Sequence, residues 1–570
     1  AASCARSLAL PMQSQAVPSK PLFATASAPA PTVGDALVEA GAPRVAPRAE
    51  VGLWVAFGVA LTAAVAVFCA FDALPFMDLP AHAGLIALRH RFAWSPFEQQ
   101  FYVLDPHLGP YSLFRALGDA FATVVGPVGA VRALAALSIV ALPVAIVDAR
   151  RRLYGDLAPA FGLIGIPLGF GLMTIFGFAT FLLGVAVLVE CLSLWLDLLA
   201  HLDAAPRERR WRELAVAACA GLLFVTHGFA FVIFLALAGT SLISAPLTFR
   251  RIATVRALVP AVALAAYAAW IERATALPAG SAPAPQPRAG VLFQSFADKL
   301  SLLATPTLMT RSGVDLAIGV VIWAIAITGV VATVRWIRRP ASASSSVRPH
   351  ARALLASAAL LALGFAVLPH EIGWFGFVDG RLVLVVLVVG LLAVPPAAMG
   401  RRLTFAYQRL VPPMSGAIVL LALVTSYRFQ DEARGYREVL SNVPAYARVL
   451  NLPLDPNSDV FAGHPFVHYD KLVLAERPAL VSDIWLHQGS ALYPRAGNPV
   501  LDLPATYVSS DVRGVEWGAY HVDDWDFVLL RTKPTAAAPA VPESLKLVSR
   551  VGGWSLYRTA DSMTPHAPSR

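Results

Sequence analysis

The stretch "LAVAACAGLLFVTHGFAFVIFLALAG", residues 214–239, is apolar almost throughout, with His227 near its centre. As one helix it would cross a membrane once. As two short helices meeting at His227 it crosses twice, and every later span runs the other way. The flanks decide between the readings: "PRERRWRE" (206–213) and "FRRIATVR" (249–256) are both arginine-rich, and arginine-rich connectors stay on the cytoplasmic side. A single crossing would strand the second cluster outside, so the stretch is read as a hairpin.

Carried along the chain, the same rule orients the rest. About eleven spans of roughly 20 apolar residues fit the hydropathy. They lie near 51–71, 127–147, 158–174, 176–199, 214–226, 228–246, 257–271, 313–334, 353–369, 381–399 and 411–427. The clusters "ARRRLYG" (149–155), "RWIRRPASASSSVRPHAR" (335–352) and "GRRLTFAYQR" (400–409) fall with the first two on every second connector. The expected topology is N-terminus in and C-terminus out. Loop 72–126, the tip at His227, loop 272–312, loop 369–380 and everything after residue 428 then face outward together.

Composition agrees with a polytopic membrane protein: of 570 residues, 57% are hydrophobic and 14% charged, with a mean hydropathy of +0.63. The net charge of +9 comes largely from those connector arginines, so topology accounts for it and nucleic acid is set aside as a partner. Cys69, Cys191 and Cys219 lie in apolar segments and Cys4 near the N-terminus, which suggests no disulfide framework. Residues 1–45, rich in Ala, Pro and Ser, read as a disordered cytoplasmic tail. Residues 46–427 form the transmembrane region. From 428 to 570 the composition turns ordinary, and "DFVLLR" (526–531) and "LKLVSRVGGWSLYRT" (545–559) read as strands of a small extracytoplasmic α/β domain, the second run folding back at Gly552-Gly553. No phosphate-gripping glycine loop and no GxSxG elbow occurs.

The chemistry-bearing residues gather in the outward segments. In "FMDLPAHAG" (76–84), Asp78 and His82 are four apart, and with Pro80 in the first turn of a helix both side chains share one face near its N-terminus. That end of a helix favours a carboxylate; Asp78 is either a proton acceptor or a simple cap. Further on, "EQQFYVLDPHLGPYS" (98–112) carries Glu98, Asp105 and His107, with Asp105-Pro106 also readable as a turn. "LPHEIGWFGFVDGRL" (368–382) carries His370, Glu371, Asp379 and Arg381. An arginine at the outer end of a span breaks the positive-inside pattern, which a two-pronged phosphate contact or an ion pair with Asp379 would explain. His227 is read as a helix-to-helix hydrogen-bonding residue. The clusters "GHPFVHYDK" (463–471) and "DIWLHQG" (483–489) are read as packing of the outer domain, with glycan stacking as the alternative.

Taken together, "FMDLPAHAG", "FGFATFLLGVAVL" (176–188), "THGFAF" (226–231), "VDGRL" (378–382) and the strand-rich ending resemble the GT-C superfamily of integral membrane glycosyltransferases, over most of residues 51–560. The resemblance implies transfer of a sugar, hexosyl or pentosyl and with inversion, from a polyprenyl-phosphate donor to a glycan, lipid or protein acceptor at the outer face of a bacterial plasma membrane. It implies Asp78 as base, with His82 and Asp105 beside it, and Arg381, Arg89 and Arg91 on the departing lipid phosphate. His227, His370, Glu371 and Asp379 would serve the acceptor or the structure. A divalent metal, Mg or Mn, is the one cofactor raised, with Asp78 as its ligand; Leu79 stands where the family often has a second acid. Two rival readings remain open: a flippase for lipid-linked saccharides, although no internal repeat is found, and a non-enzymatic envelope assembly protein.

Overall fold

The computed structural model describes residues 47–560 except 106, 156–158, 275–279, 283–289, 305–307, 341–346, 374, 483, 486–490, 505–506, 508–511, 513–514, 516 and 537–538. The expected tail, 1–45, lies outside the described residues. Apolar runs in lipid must satisfy their backbone internally, and each predicted span is helical. The helices are α1 (Pro47–Cys69), α2 (Leu79–Arg91), α3 (Ser112–Tyr154), α4 (Pro159–Gly169), α5 (Ala179–Ala200), α6 (Pro206–Thr226), α7 (Gly228–Ile243), α8 (Val259–Ala274), α9 (Phe296–Leu302), α10 (Val314–Arg338), α11 (Arg348–Val367), α12 (Val378–Leu392) and α13 (Arg401–Ala433). Among the described residues, seven helices are long and apolar enough to cross a membrane: α1, α3, α5, Phe249–Ile271, α10, α11 and α13. The chain is a multi-pass membrane protein. The expected spans at α4, α6, α7 and α12 are helical but short, or charged at one end in the case of α6.

The decisive stretch breaks at His227, whose backbone is extended (φ −160°, ψ 111°). Both arms run back along α5. Gly184, near the start of α5, faces His227, whereas near its end Asp197 binds Arg212 of α6 at 2.8 Å and the Trp195 indole donates to the Ala238 carbonyl of α7 at 3.2 Å. Arg256 pairs with Glu213 (2.7 Å) and Arg250 with Asp203, so both arginine-rich connectors share that far end. Loop 72–126 is more helical than expected. It holds α2 and the first part of α3, which kinks at Gly126 (φ 72°, ψ 169°) where Pro127 lacks the N–H to continue the ladder.

Short strands β1 (Tyr102–Leu104) and β6 (Leu492–Pro494) pair antiparallel, as do β2 (Val291–Leu292) and β3 (Glu371–Ile372). The C-terminal region is built on a five-stranded sheet of β4 (Arg448–Pro453), β5 (Leu480–Val481), β7 (Phe527–Arg531), β8 (Leu545–Val551) and β9 (Trp554–Thr559), in the order β5-β4-β7-β9-β8. β4 is parallel to both its neighbours; β7, β9 and β8 are antiparallel, with Gly552 (φ 58°) turning the final hairpin. This region is fastened to the segment after α1: Gln430 exchanges two hydrogen bonds with the Ala73 backbone, and the Tyr469 hydroxyl donates to the Leu74 carbonyl at 3.1 Å.

The same segment docks on the start of α5, where the Met77 and Asp78 amides donate to the Ile175 and Phe176 carbonyls at 2.9 and 3.2 Å. Gly177 makes this possible: it has φ 78°, and a Cβ there would lie 2.7 Å from the Asp78 nitrogen. Gly177→Ala is expected to lower stability by about 1–3 kcal/mol. Gly239→Ala, on an open face of α7 with nothing within 4 Å, is expected to be neutral or stabilising. Thermal unfolding of both variants in detergent checks the pair.

Candidate functional site

Five helix N-termini point into one cavity of about 420 Å³: Asp78 caps α2, Tyr111 caps α3, Phe178 caps α5, His227 caps α7, and Arg381 sits in the first turn of α12. Each N-terminus carries a partial positive charge of roughly half a unit from its unpaired amides. Arg89, Arg115 and Arg381 add full charges, and Asp78 is the only carboxylate among the described residues that line the space. Such a distribution of charge favours an anion. Its size suits a headgroup-sized ligand.

Asp78 occupies the cap position of α2, yet its side chain makes no capping hydrogen bond. Its Oδ1 lies 3.5 Å from His468 Nε2, and both side chains are nearly buried. His82 shares its face, as the spacing predicts, and packs between the rings of Phe114 and Trp485, each centroid at 5.0 Å. Desolvation there pushes the His82 imidazole down to about 4, against the pull of Asp78, so it is neutral at physiological pH.

Arg381 is buried among aromatic faces, its guanidinium carbon 4.1 Å from the Phe375 centroid and 4.4 Å from that of Phe178. Its Nη1 is 3.5 Å from His227 Nε2. The His227 Nδ1 accepts from the Ala230 amide at 3.3 Å, which places the imidazole proton on Nε2. Two N–H donors therefore face each other with no acceptor between them among the described residues.

The other expected residues lie elsewhere. Asp379 does not pair with Arg381. It is fully buried and bound instead to His370 Nδ1 (2.8 Å), to Lys299 Nζ (3.4 Å) and to the Gly380 amide (2.8 Å), because helical positions two apart do not face each other and Lys299 of α9 reaches in from the other side. Lys299 also donates to the Phe365, Ala366 and Leu368 carbonyls at the end of α11, so the cluster fastens loop 369–378. Glu371 sits in β3 and, like His370, does not line the cavity. Arg91 is drawn off by the fully buried Glu98 at 2.6 Å, whereas Arg89 lines the cavity while paired with Asp119 at 3.1 Å. Asp105 is outside it, paired with the half-exposed His107. Tyr111 and Arg115 were not anticipated, and His468 and Trp485 were read as packing; the histidines and tryptophan of the two C-terminal clusters were the available signal.

Asp379→Ala, which strands the Lys299 charge, is expected to cost about 3–5 kcal/mol, whereas Asp105→Ala should change stability by no more than about 0.5 kcal/mol. Melting of the two variants in detergent measures the contrast.

No family model and no curated protein sequence matches the chain. Solved structures do. ArnT from Cupriavidus metallidurans, bound to undecaprenyl phosphate, is 14% identical with a TM-score of 0.51, covering 91% of this chain and 100% of its own. The arabinofuranosyltransferase AftD from Mycobacteria is 15% identical with a TM-score of 0.48, over 91% of this chain and 40% of AftD. The Archaeoglobus fulgidus oligosaccharyltransferase is 12% identical with a TM-score of 0.38, over 75% of this chain and 64% of its own. With helices, cavity and C-terminal sheet in place and ArnT matched along its whole length, the chain shares the fold of ArnT from Cupriavidus metallidurans.

Proposed function

We propose that the chain is a glycosyltransferase that moves a sugar from a polyprenyl-phosphate donor to a glycan, lipid or protein acceptor at the outer face of the membrane. The observation that carries this reading is the pair of inward N–H donors on Arg381 and His227, set where five helix N-termini meet opposite a single carboxylate. A leaving phosphate is the anion that such a cavity fits, and the similarly folded ArnT was captured with undecaprenyl phosphate.

In the proposed reaction Asp78 removes the proton of an acceptor hydroxyl. The oxygen then attacks the anomeric carbon from the face opposite the phosphate, the bond to the phosphate oxygen breaks, and the configuration inverts. Arg381, His227 and Arg89 hold the charge that develops on the departing polyprenyl phosphate. His82, neutral, serves as a hydrogen-bonding wall of the cavity. Among the described residues, one carboxylate and two imidazoles at Asp78 fall short of the oxygen ligands that Mg or Mn takes.

The arginine-rich end is assigned to the cytoplasm and the cavity end to the outside, in a plasma membrane. In a background without native cysteines, Ser441→Cys, at an exposed position beyond α13, should react with an impermeant thiol reagent on intact cells. Arg207→Cys, exposed at the other end, should react only after lysis. The reverse pattern inverts the topology and removes the donor from reach.

The chemistry is tested in proteoliposomes with a panel of undecaprenyl-phosphate sugars, read as release of undecaprenyl phosphate. Asp78→Asn should lower turnover by about 10²–10⁴ with undecaprenyl phosphate binding retained. Arg381→Lys should weaken that binding about tenfold, since an ammonium cannot reproduce the two-pronged contact. Equal binding by wild type and Arg381→Lys would sink the phosphate assignment.

A further inference from the structure

His468 belongs to the C-terminal region, remote in sequence from Asp78, yet it is aimed at that carboxylate by a buried framework. Strand β4 supplies Asn451, whose amide nitrogen donates to the Val467 carbonyl and to Asp470 Oδ1, both at 3.0 Å. Asp470 is fully buried and also bound to Lys471 Nζ at 3.1 Å. Lys471 opens helix α14 (Lys471–Glu476), which rests on α2 over Gly84, where an added Cβ would meet the Lys471 Cβ and carbonyl at 3.0 Å. The peptide on each side of His468 is thus held from the sheet. From the opposite side Asp78 is fixed by its backbone contact with residues 176–177. Trp485, from the segment after β5, sets its ring edge-on to both His468 (5.7 Å) and His82 (5.0 Å), which limits the imidazole rotation.

We propose that His468 is a positioning residue for Asp78: its Nε2–H engages Oδ1 and leaves Oδ2 turned toward the acceptor hydroxyl. The proposal deepens, and rests on, the glycosyl-transfer reading above. In the reaction the hydroxyl proton goes to Oδ2, the acceptor oxygen bonds to the anomeric carbon, and the electron pair of the breaking bond leaves with the phosphate. His468 neither gains nor loses a proton in that step. It fixes which oxygen acts. Facing this pair among the described residues are the neutral His82 from α2, Arg381 from α12, and Arg89 and Arg115 across the cavity.

Two measurements on the full chain test this. First, the pH dependence of diethyl pyrocarbonate modification at His468, read by mass spectrometry, gives its midpoint in wild type and in Asp78→Asn. Loss of the neighbouring carboxylate should lower the midpoint by about one pH unit. Identical midpoints overturn the pairing, whether or not the protein transfers sugar. Second, with the undecaprenyl-phosphate sugar panel, His468→Ala should lower kcat about 10- to 100-fold with the donor KM unchanged, and should add no further loss to Asp78→Asn. His468→Gln, which keeps an N–H near Nε2, should recover most of kcat. Unchanged kcat in His468→Ala, or losses that add to those of Asp78→Asn, overturns the positioning role. A shifted midpoint in a wild type that releases no undecaprenyl phosphate from any donor keeps the pairing and defeats the transfer reading instead.

Discussion

The structure turns on a backbone contact. Residues 77–78 hydrogen-bond to 175–176, and the chain comes close enough to do so because residue 177 has no side chain. That contact fixes where α2 begins, hence where Asp78 and His82 point. It also lays the segment after α1 where Gln430, Tyr469 and α14 can grip it, so the C-terminal sheet is registered against the helical region through the same few residues. Move residue 177 out of its left-handed conformation, and the cap of α2, the start of α5 and the seat of the C-terminal region lose their common reference.

Around that anchor the charge is one-sided. Among the described residues, helix N-termini and guanidinium groups surround a single carboxylate in a space with aromatic walls. Low-dielectric surroundings strengthen each of these interactions and make an uncompensated cation costly. The aromatic faces on Arg381 offset part of that cost, and its remaining donors stay directed inward. Away from the cavity the charges are neutralised locally, Arg91 by Glu98 and Lys299 by Asp379, and the second pair holds the loop whose residues 375–377 line it.

Much of this was legible from sequence, for identifiable reasons. The helices, and the break at His227, follow from hydropathy read against arginine placement, both of which are local in the chain. The pairing of Asp78 with His82 on one face follows from helical periodicity with Pro80 as punctuation. Arg381 stood out because its position violates the charge rule for loops. Partner choice was the part that could not be read. Whether Arg381 met Asp379 depended on Lys299 arriving from α9, and whether Arg91 was free depended on a buried Glu98; both are tertiary facts with no local signature. His468 and Trp485 looked like the packing residues of an outer region because nothing in "GHPFVHYDK" or "DIWLHQG" encodes which surface that region would cover.

The cavity wall is drawn from residues 77–89, 111–115, 178–180, 227, 375–381, 468 and 485, in that order of synthesis. Its first side chains emerge from the ribosome just after the first helix, and its last, Trp485, only after β4 and β5 but before the other three strands of the sheet. A nascent chain therefore makes Asp78 and α2 long before His468 exists, and the cavity wall is whole only after residue 485 has been made, so the two halves of the Asp78–His468 contact are joined late in synthesis.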